Sequence, residues 1–290
     1  MPYAGSRRHF RIEARNQILD LGSRTLIMGV LNVTPDSFSD GGAFFETGRA
    51  VERAWRIAEE GADILDLGGE STRPGSQGVS AEVELGRILP VLDVLAGKYP
   101  LPISIDTSKS EVGRAALERG AALVNDITAL GKDPRLGETA ASCGAGVILM
   151  HMRGEPGTMQ TLPPSPDILG EIEVWAGKAV AHAQALGVAR NRIILDPGIG
   201  FGKTAQQNLE IIRNLDRLAA AGFPVLIGPS RKAFIGKILA DPKKDRIWGG
   251  AAAVAASILF GAHIVRVHDV AAMRDAARVA DALLNEGGSE

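Results

Sequence analysis

The stretch LPISIDTSKSEVGRAALERGAALVNDI, residues 101–127, has the pattern of one strand–helix–strand unit. Apolar residues run almost continuously through 101–107 and 121–127, as in parallel strands that are buried on both faces. Between them, 110–119 has the apolar spacing of an amphipathic helix, and Gly120 stands where a left-handed helix end favours glycine. The stretch therefore predicts a right-handed βαβ unit of a parallel sheet.

The same pattern recurs along the chain. Strands are predicted at 25–32, 62–69, 101–107, 121–127, 145–151, 192–198, 224–230 and 262–268. Amphipathic helices are predicted between the strands, for example at 47–60, 80–98, 110–119, 167–186, 206–220 and 270–284. Eight strand–helix units in about 250 residues match a closed barrel better than an open doubly wound sheet. We predict an α/β fold: a single (β/α)₈ TIM barrel over 25–290, with residues 1–24 as a strand or hairpin that closes the barrel bottom.

Composition excludes several classes of function. The chain has 290 residues and a formal net charge of −2, so no overall field draws it to nucleic acid or to an anionic membrane. The first residues lack an apolar signal region, and no apolar run reaches the roughly 20 residues of a membrane span. The one cysteine, Cys143, cannot form an intrachain disulfide. We expect a cytoplasmic protein that binds neither nucleic acid nor membrane.

Polar side chains collect at the carboxyl ends of the predicted strands. They are Asn32, Glu70 to Arg73, Asp106, Asn125, His151, Asp196, Ser230 to Lys232, Arg266 and His268. Strand ends are often polar because the chain emerges into water there, but that accounts for one or two such residues and not for all eight ends. Active sites of these barrels lie at the carboxyl ends of the strands. The pattern therefore predicts a site for a polar, partly anionic small molecule.

The residue types indicate the chemistry. Asp106 and Asp196 could accept N–H bonds from a heterocycle or stabilise a cation. Asn125 could bind an amide-like ring edge, or it could only bond a neighbouring loop. Arginines 73 and 266 with Lys232 and His268 would supply cations for phosphate or pyrophosphate. A predicted helix at 231–239 would place Ser230 at its amino end, where backbone N–H groups could hold another anion.

Other signals favour structural roles. GIGFGKT (198–204) fails the phosphate-loop pattern, because Pro197 occupies a required glycine position. The histidines lack the spacing of a zinc site. Cys143 is expected to pack rather than react. The run GGAAAVAAS (249–257) predicts a closely packed helix and, as a weaker alternative, a subunit interface.

Eight motifs, in order, resemble the dihydropteroate synthase family. They are NVTPDSFSDGG, GGESTRPG, ISIDTSK, NDI, MHMRG, LDPGIGFGKT, GPSRKAFIG and RVHDV, and the resemblance covers residues 25–285. The resemblance implies a TIM barrel that joins 6-hydroxymethyl-7,8-dihydropterin pyrophosphate to p-aminobenzoate and releases pyrophosphate in folate synthesis. It also implies Mg²⁺, a homodimer, sulfonamides as inhibitors, and an ionisation route in which no side chain is a covalent nucleophile.

The resemblance also assigns residue roles. Around the pterin it places Asp106, Asn125, Asp196 and Lys232, with Met150 and Phe201 lining the slot. At the metal and the pyrophosphate it places Asn32 (the Mg²⁺ contact), Arg73, Arg266 and His268. Around p-aminobenzoate it places Phe38, Asp40, Thr72, Pro74 and Ser230, with Lys232 nearby, and it adds Gly228 as a further substrate-binding residue. The catalytic residues would be Asp106, Lys232, Asp40 and Arg73, and the loop 32–42 would close over the site together with the loop STRPG.

Two other functions stay open at this point. A pterin-dependent methyltransferase of the same superfamily would share the barrel but would not use the pyrophosphate clamp. A catalytically silent pterin-binding protein would show decay in the loops, which the motifs do not show. Three positions depart from the family pattern, none of them a proposed contact: Gly157, Ile199 and Gln207.

Overall fold

The computed structural model of this chain describes residues 7–34, 43–72, 75–241 and 244–285, without the side chains of 43–46. Four of the predicted site residues lie outside the described residues. They are Phe38, Asp40, Arg73 and Pro74.

The described strands form a hairpin and a barrel. The antiparallel hairpin consists of β1 (Phe10–Ala14) and β2 (Gln17–Leu21). The barrel strands are β3 (Leu26–Asn32), β4 (Ile64–Gly68), β5 (Ile103–Asp106), β6 (Leu123–Asp126), β7 (Gly146–Met150), β8 (Ile193–Asp196), β9 (Leu226–Ile227) and β10 (Ile264–Val267). They run parallel in the order β8-β7-β6-β5-β4-β3-β10-β9, and a bridge between Leu195 and Val225 closes the ring. The predicted TIM barrel with an amino-terminal hairpin is confirmed.

Helices follow the barrel strands and cover them. They are α1 (Ala43–Glu59), α2 (Ala81–Leu95), α3 (Ser110–Glu118), α4 (Arg135–Cys143), α5 (Ile168–Ala185), α6 (Ala205–Arg213), α7 (Leu215–Ala219), α8 (Ala233–Ile238), α9 (Ile247–Leu259) and α10 (Val270–Leu284). Almost every barrel-strand residue is buried, as expected of strands that pack on helices outside and on side chains inside. None of the helices in the described part of the chain is long and apolar enough to cross a membrane.

Two predicted helices differ from the observed ones. The single helix predicted over 206–220 is divided at Asn214, whose side-chain amide donates to the carbonyl of Glu210 over 2.7 Å and so ends α6. The helix predicted over 231–239 begins only at Ala233, because Arg231 has a left-handed φ of 58°. The predicted helix start at Arg231 is wrong, and Ser230 therefore does not stand at a helix amino end.

The hairpin packs against the amino-terminal end of the barrel. Ile12, Ala14, Leu19 and Leu21 of the hairpin form one buried cluster with inward-facing strand residues such as Met28. This cluster fills the end of the barrel opposite to the carboxyl ends of the strands. The polar ends of the strands are therefore left as the open face.

Arg7 joins the start of the described chain to its last helix. Its guanidinium pairs with Asp281 of α10 and donates to Thr25 Oγ1 and to the carbonyl of Ala262. The Asp281 carboxylate also accepts the backbone N–H of Thr25 over 2.7 Å. Because these groups are buried, each depends on the others for its hydrogen bonds.

Candidate active site

The strand register brings the predicted polar residues together at the carboxyl end of the barrel. Asp106 of β5 is opposite Asn125 of β6, and Asp196 of β8 is opposite Met150 of β7. Asp106, Asn125 and Asp196 are each less than 10% exposed, at 7%, 4% and 5%. Buried carboxylates need cationic or N–H partners, so their surroundings decide what the site can do.

Arg266 of β10 links two carboxylates across the barrel. Its Nε donates to Asp66 Oδ2 over 2.6 Å, and its Nη2 donates to Asp106 Oδ2 over 2.8 Å. Asn125 Nδ2 donates to the same Asp66 oxygen over 3.2 Å. Asp66 lies in the middle of β4 and is fully buried. The sequence prediction missed it, although a lone charge inside the apolar run ILDLG was a signal.

Burial shifts the pKa values of this cluster. It raises the pKa of Asp106, against the lowering effect of Arg266, and the neighbouring Asp66 raises it further. Burial alone would lower the pKa of Arg266, but Asp66 and Asp106 more than offset this and raise it. The cluster therefore keeps a permanent cation between two carboxyl groups, and burial disfavours the ionised form of Asp106.

Asp196 at the end of β8 and Lys232 after β9 form a second pair of an acid and a base in the site. Burial raises the pKa of Asp196 to about 6, and its Oδ1 accepts the N–H of Gly198 over 2.7 Å. Burial and the nearby Arg266 lower the pKa of Lys232 to about 8. The Lys232 Nζ stands 4.1 Å from the centre of the Phe201 ring, which favours the cationic form.

An apolar cluster lies beside these polar groups. Met150, Phe201 and Met159 form a buried cluster, with Ile127 and Met152 packed against it. Met159 belongs to a short 3₁₀ turn, Met159–Thr161, which the sequence did not predict. A flat ring could lie between the sulfur-containing and aromatic side chains while its edge meets the carboxylates.

Lys203 belongs to GIGFGKT, the segment that fails the phosphate-loop pattern. Its side chain binds the backbone next to this apolar cluster. Its Nζ donates to the carbonyls of His151, Gly198 and Phe201 over 3.1, 2.9 and 3.1 Å. Gly198 has a φ of 68°, and a Cβ there would collide with the His151 carbonyl. The glycine-rich segment thus forms a loop around a buried ammonium rather than around a phosphate.

His268 and Ser230 contact each other at the edge of the site. The backbone N–H of His268 donates to Ser230 Oγ over 3.3 Å, and His268 Nδ1 lies 3.2 Å from the same oxygen. Burial and the nearby Arg266 lower the pKa of His268 to about 4. At neutral pH His268 is therefore an uncharged hydrogen-bonding group and not the cation that the sequence predicted. Gly228 lies beside Arg266, where a Cβ would stand 3.7 Å from the Arg266 Cβ.

Asn32, the predicted metal contact, ends β3 next to this cluster. A Cβ at Gly68 would stand 3.5 Å from Asn32 Oδ1 and 3.4 Å from Asp106 Cβ, so both side chains face the same gap. No group of three or more metal-ligating acidic, histidine or cysteine side chains occurs among the described residues. The donor set suits an ion that takes one protein oxygen and fills its other positions with water and phosphate, as Mg²⁺ does.

The loop that carries Thr72 is fastened at both ends. Glu70 Oε1 accepts the N–H of Val79 over 2.9 Å, and Glu70 Oε2 accepts from Lys109 Nζ over 2.6 Å. Lys109 also donates to Glu84, which is fully buried and whose pKa burial raises. Thr72 is half-buried between these anchors.

Comparison with known proteins identifies the kind of site. The profile of the family "Pterin binding enzyme" matches residues 28–268. The dihydropteroate synthase of Synechocystis sp. is 49% identical, over 92% of each chain. The structure of the Xanthomonas albilineans dihydropteroate synthase in complex with 7,8-dihydropteroate is 38% identical and superposes with a TM-score of 0.84, covering 95% of this chain and 99% of that one. The Yersinia pestis enzyme in complex with a sulfonamide drug is 40% identical with a TM-score of 0.88, covering 94% and 99%.

Proposed function

Because the chain belongs to the dihydropteroate synthase family of pterin-binding enzymes, we propose that it joins 6-hydroxymethyl-7,8-dihydropterin pyrophosphate to p-aminobenzoate. The products are 7,8-dihydropteroate and pyrophosphate. The observation that carries this proposal is a buried network beside an apolar cluster: the Asp66 carboxylate accepts from Asn125 and Arg266, and Arg266 also donates to Asp106.

This arrangement suits the edge of a pterin ring. Asp106 and Asp196 would accept the ring N–H groups, Asn125 would accept a further N–H through its amide oxygen, and Lys232 would donate to a ring carbonyl or nitrogen. Met150 and Phe201 would cover the ring faces. Each polar atom of the ring would then meet a partner of opposite hydrogen-bonding type.

The reaction would proceed by ionisation. The bond between the methylene carbon and the pyrophosphate oxygen breaks, pyrophosphate leaves with the electron pair, and the positive charge spreads into the dihydropterin. Asp106 would stabilise this charge. The aniline nitrogen then bonds to the carbon and loses its proton to water. Arg266 and His268 would contact the departing pyrophosphate, as would Arg73, which lies outside the described residues.

The p-aminobenzoate would lie beside the loop STRPG, residues 71–75, which is the second loop of the site. Thr72 and Ser230 would border that place, and Phe38, Asp40 and Pro74 would complete it from segments outside the described residues. Sulfonamides, one of which is bound in the Yersinia pestis enzyme, are expected to occupy the same place.

Asn32 would hold Mg²⁺ through its amide oxygen. The ion would neutralise pyrophosphate charge as the leaving group departs. Chelation should stop pyrophosphate release, and Asn32→Ala should raise the Mg²⁺ concentration that gives half-maximal rate. Turnover that is independent of divalent cations would contradict this assignment.

The test of the reaction measures pyrophosphate release from the dihydropterin pyrophosphate with Mg²⁺, with and without p-aminobenzoate. We expect release that depends on the aniline, with dihydropteroate formed in equal amount. Tight pterin binding without release would favour the methyltransferase or the silent binder instead.

We also propose that the protein is a homodimer that packs through α9. The inner face of α9 is buried through Gly250 and Val254, whereas Trp248 is 80% exposed next to a run of alanines. Small residues let a second helix approach closely. A large apolar side chain such as Trp248 is stabilised when a partner covers it. In sedimentation, Trp248→Lys should give a monomer, whereas Val174→Lys, at an apolar position of α5 that is 59% exposed, should not. A monomeric wild-type protein would contradict the proposal.

A cytoplasmic location is the remaining expectation. Cys143 is the one cysteine of the chain, and such sparing use of cysteine suits a reducing compartment. Fractionation of cells that express the tagged protein would check it.

A further inference from the structure

Asp66 is a buried charge that the proposed chemistry does not use directly. All five residues of β4 are buried, and Asp66 is 0% exposed, so it cannot touch a substrate in the site. Its Oδ2 accepts from both Arg266 Nε and Asn125 Nδ2, at 2.6 and 3.2 Å. Its Oδ1 has no hydrogen-bond partner among the residues that the structure describes. Burying a charged group with an unpaired oxygen is unfavourable, so the role of Asp66 must be sought in the residues that it contacts.

The first neighbour is Asn125, whose amide can present either a donor or an acceptor. A carboxylate accepts hydrogen bonds and does not donate them, so Asp66 binds only the NH₂ end of Asn125. If the amide were reversed, its oxygen would face the carboxylate oxygen and the two would repel each other. Asp66 therefore leaves the carbonyl end of Asn125 as the end available to another donor.

The second neighbour is Arg266, which can bind one carboxylate through two parallel N–H bonds. With Asp66 on Nε, only Nη2 reaches Asp106, so Asp106 receives one bond from Arg266 instead of two. The three groups carry two negative charges and one positive charge when ionised. Without the charge on Asp66, Arg266 would neutralise Asp106 completely.

We infer that Asp66 is a positioning residue of this site: it fixes the amide of Asn125 with its oxygen available, and it shares Arg266 so that Asp106 keeps an uncompensated negative charge. This inference rests on the proposed function, because the uncompensated charge matters only where a cation develops on the substrate.

The test compares wild type with Asp66→Asn, which keeps the size of the side chain. The turnover number should fall about tenfold or more, as expected for misplaced reacting groups. The KM for the pterin should rise, and the KM for p-aminobenzoate should stay within about twofold. The acid limb of the pH profile should move to lower pH, because Asp66 raises the pKa of Asp106 and the asparagine does not.

Asp126→Asn is the matched control. Asp126 is also a fully buried carboxylate, on the strand after β5, but its partners are Ser108, Thr128 and the backbone N–H of Leu130. Asp126 also raises the pKa of Asp106, but less than Asp66 does, so the control should lose stability with a smaller move of the acid limb than Asp66→Asn. A folded Asp66→Asn whose acid limb moves no further than that of the control would overturn the inference.

Two further measurements keep the test decisive. If Asp66→Asn does not fold, Asp66→Glu keeps the charge but displaces its oxygens. A reduced turnover with the acid limb of wild type then supports the inference, and an unchanged turnover overturns it. Wild-type dihydropteroate formation is measured first, so failure of the proposed function is seen separately from failure of the role of Asp66.

Discussion

Replacing Asp106 by asparagine separates the catalytic value of its charge from its place in the fold. The substitution keeps the shape of a side chain that is 7% exposed and removes the charge that pairs with Arg266 over 2.8 Å. A full charge at about 4 Å from a developing cation is worth about 4 kcal/mol at an effective dielectric constant of about 20. Since an amide dipole retains part of this, we expect a loss of about 3 kcal/mol, or roughly a hundredfold in turnover number.

The same substitution, Asp106→Asn, should leave the free energy of unfolding unchanged or raise it. The pKa of Asp106 is raised in the folded protein, so its ionised form is disfavoured by folding at any pH above that pKa. The neutral asparagine avoids that cost. At pH 8 the free energy of unfolding of Asp106→Asn should therefore equal or exceed that of wild type.

The assay is dihydropteroate formation at pH 8 under saturating substrates, with urea unfolding of the same samples. Asp93→Asn, at an exposed carboxylate of α2 that pairs with Arg119, is the control and should change neither quantity by much. A loss in turnover below about tenfold, or a large fall in stability, would refute the assigned role.

Three other perturbations test the surroundings of the site. Lys203→Met leaves three carbonyls without their donor, so unfolding free energy should fall by about 2–4 kcal/mol in urea titrations, and the KM for the pterin should rise. His263 accepts the N–H of Val225, and burial lowers its pKa to about 4. The unfolded state therefore binds more protons between pH 6.5 and 4, and unfolding free energy should fall as pH decreases through that range, less steeply in His263→Gln. Glu70→Gln should loosen the second loop and raise the KM for p-aminobenzoate a few-fold.

Each of these has a contrary outcome. An unchanged urea midpoint for Lys203→Met would show that its three bonds contribute little. An identical pH slope in His263→Gln would place the titrating group elsewhere, for which the buried His151 is the next candidate. For Glu70→Gln, a change in pterin KM alone would place the effect outside the second loop.

The barrel and the polar residues at the carboxyl ends of its strands could be predicted from the sequence, because both depend on the local pattern of apolar and polar residues. Asp106, Asn125 and Asp196 follow apolar runs, and parallel strands bring such ends to one face. Asp66 was missed because its role depends on a hydrogen bond from Arg266, which is 200 residues away in sequence. No spacing rule links two positions so far apart.

The conformations of the loops were the other feature that the sequence could not predict. The role of Lys203 depends on carbonyls that face it only because the chain turns through left-handed glycines such as Gly198. The predicted start of a helix at Arg231 failed for a similar reason, since that residue itself adopts a left-handed backbone. The charge of His268 was misjudged because its burial beside Arg266 follows from packing and not from residue type.

The link between Arg7 and Asp281 has a consequence for biosynthesis. The residues that it joins are 274 positions apart, so the first buried arginine of the nascent chain waits for its carboxylate until α10 has been translated. Until then the hairpin can form, but Arg7 stays solvated, and until β10 has been translated the seam between β3 and β10 also stays open. A ribosome that stalls before β10 would therefore display an open barrel with apolar strand faces, to which chaperones could bind. Completion of the fold is thus tied to completion of translation through α10.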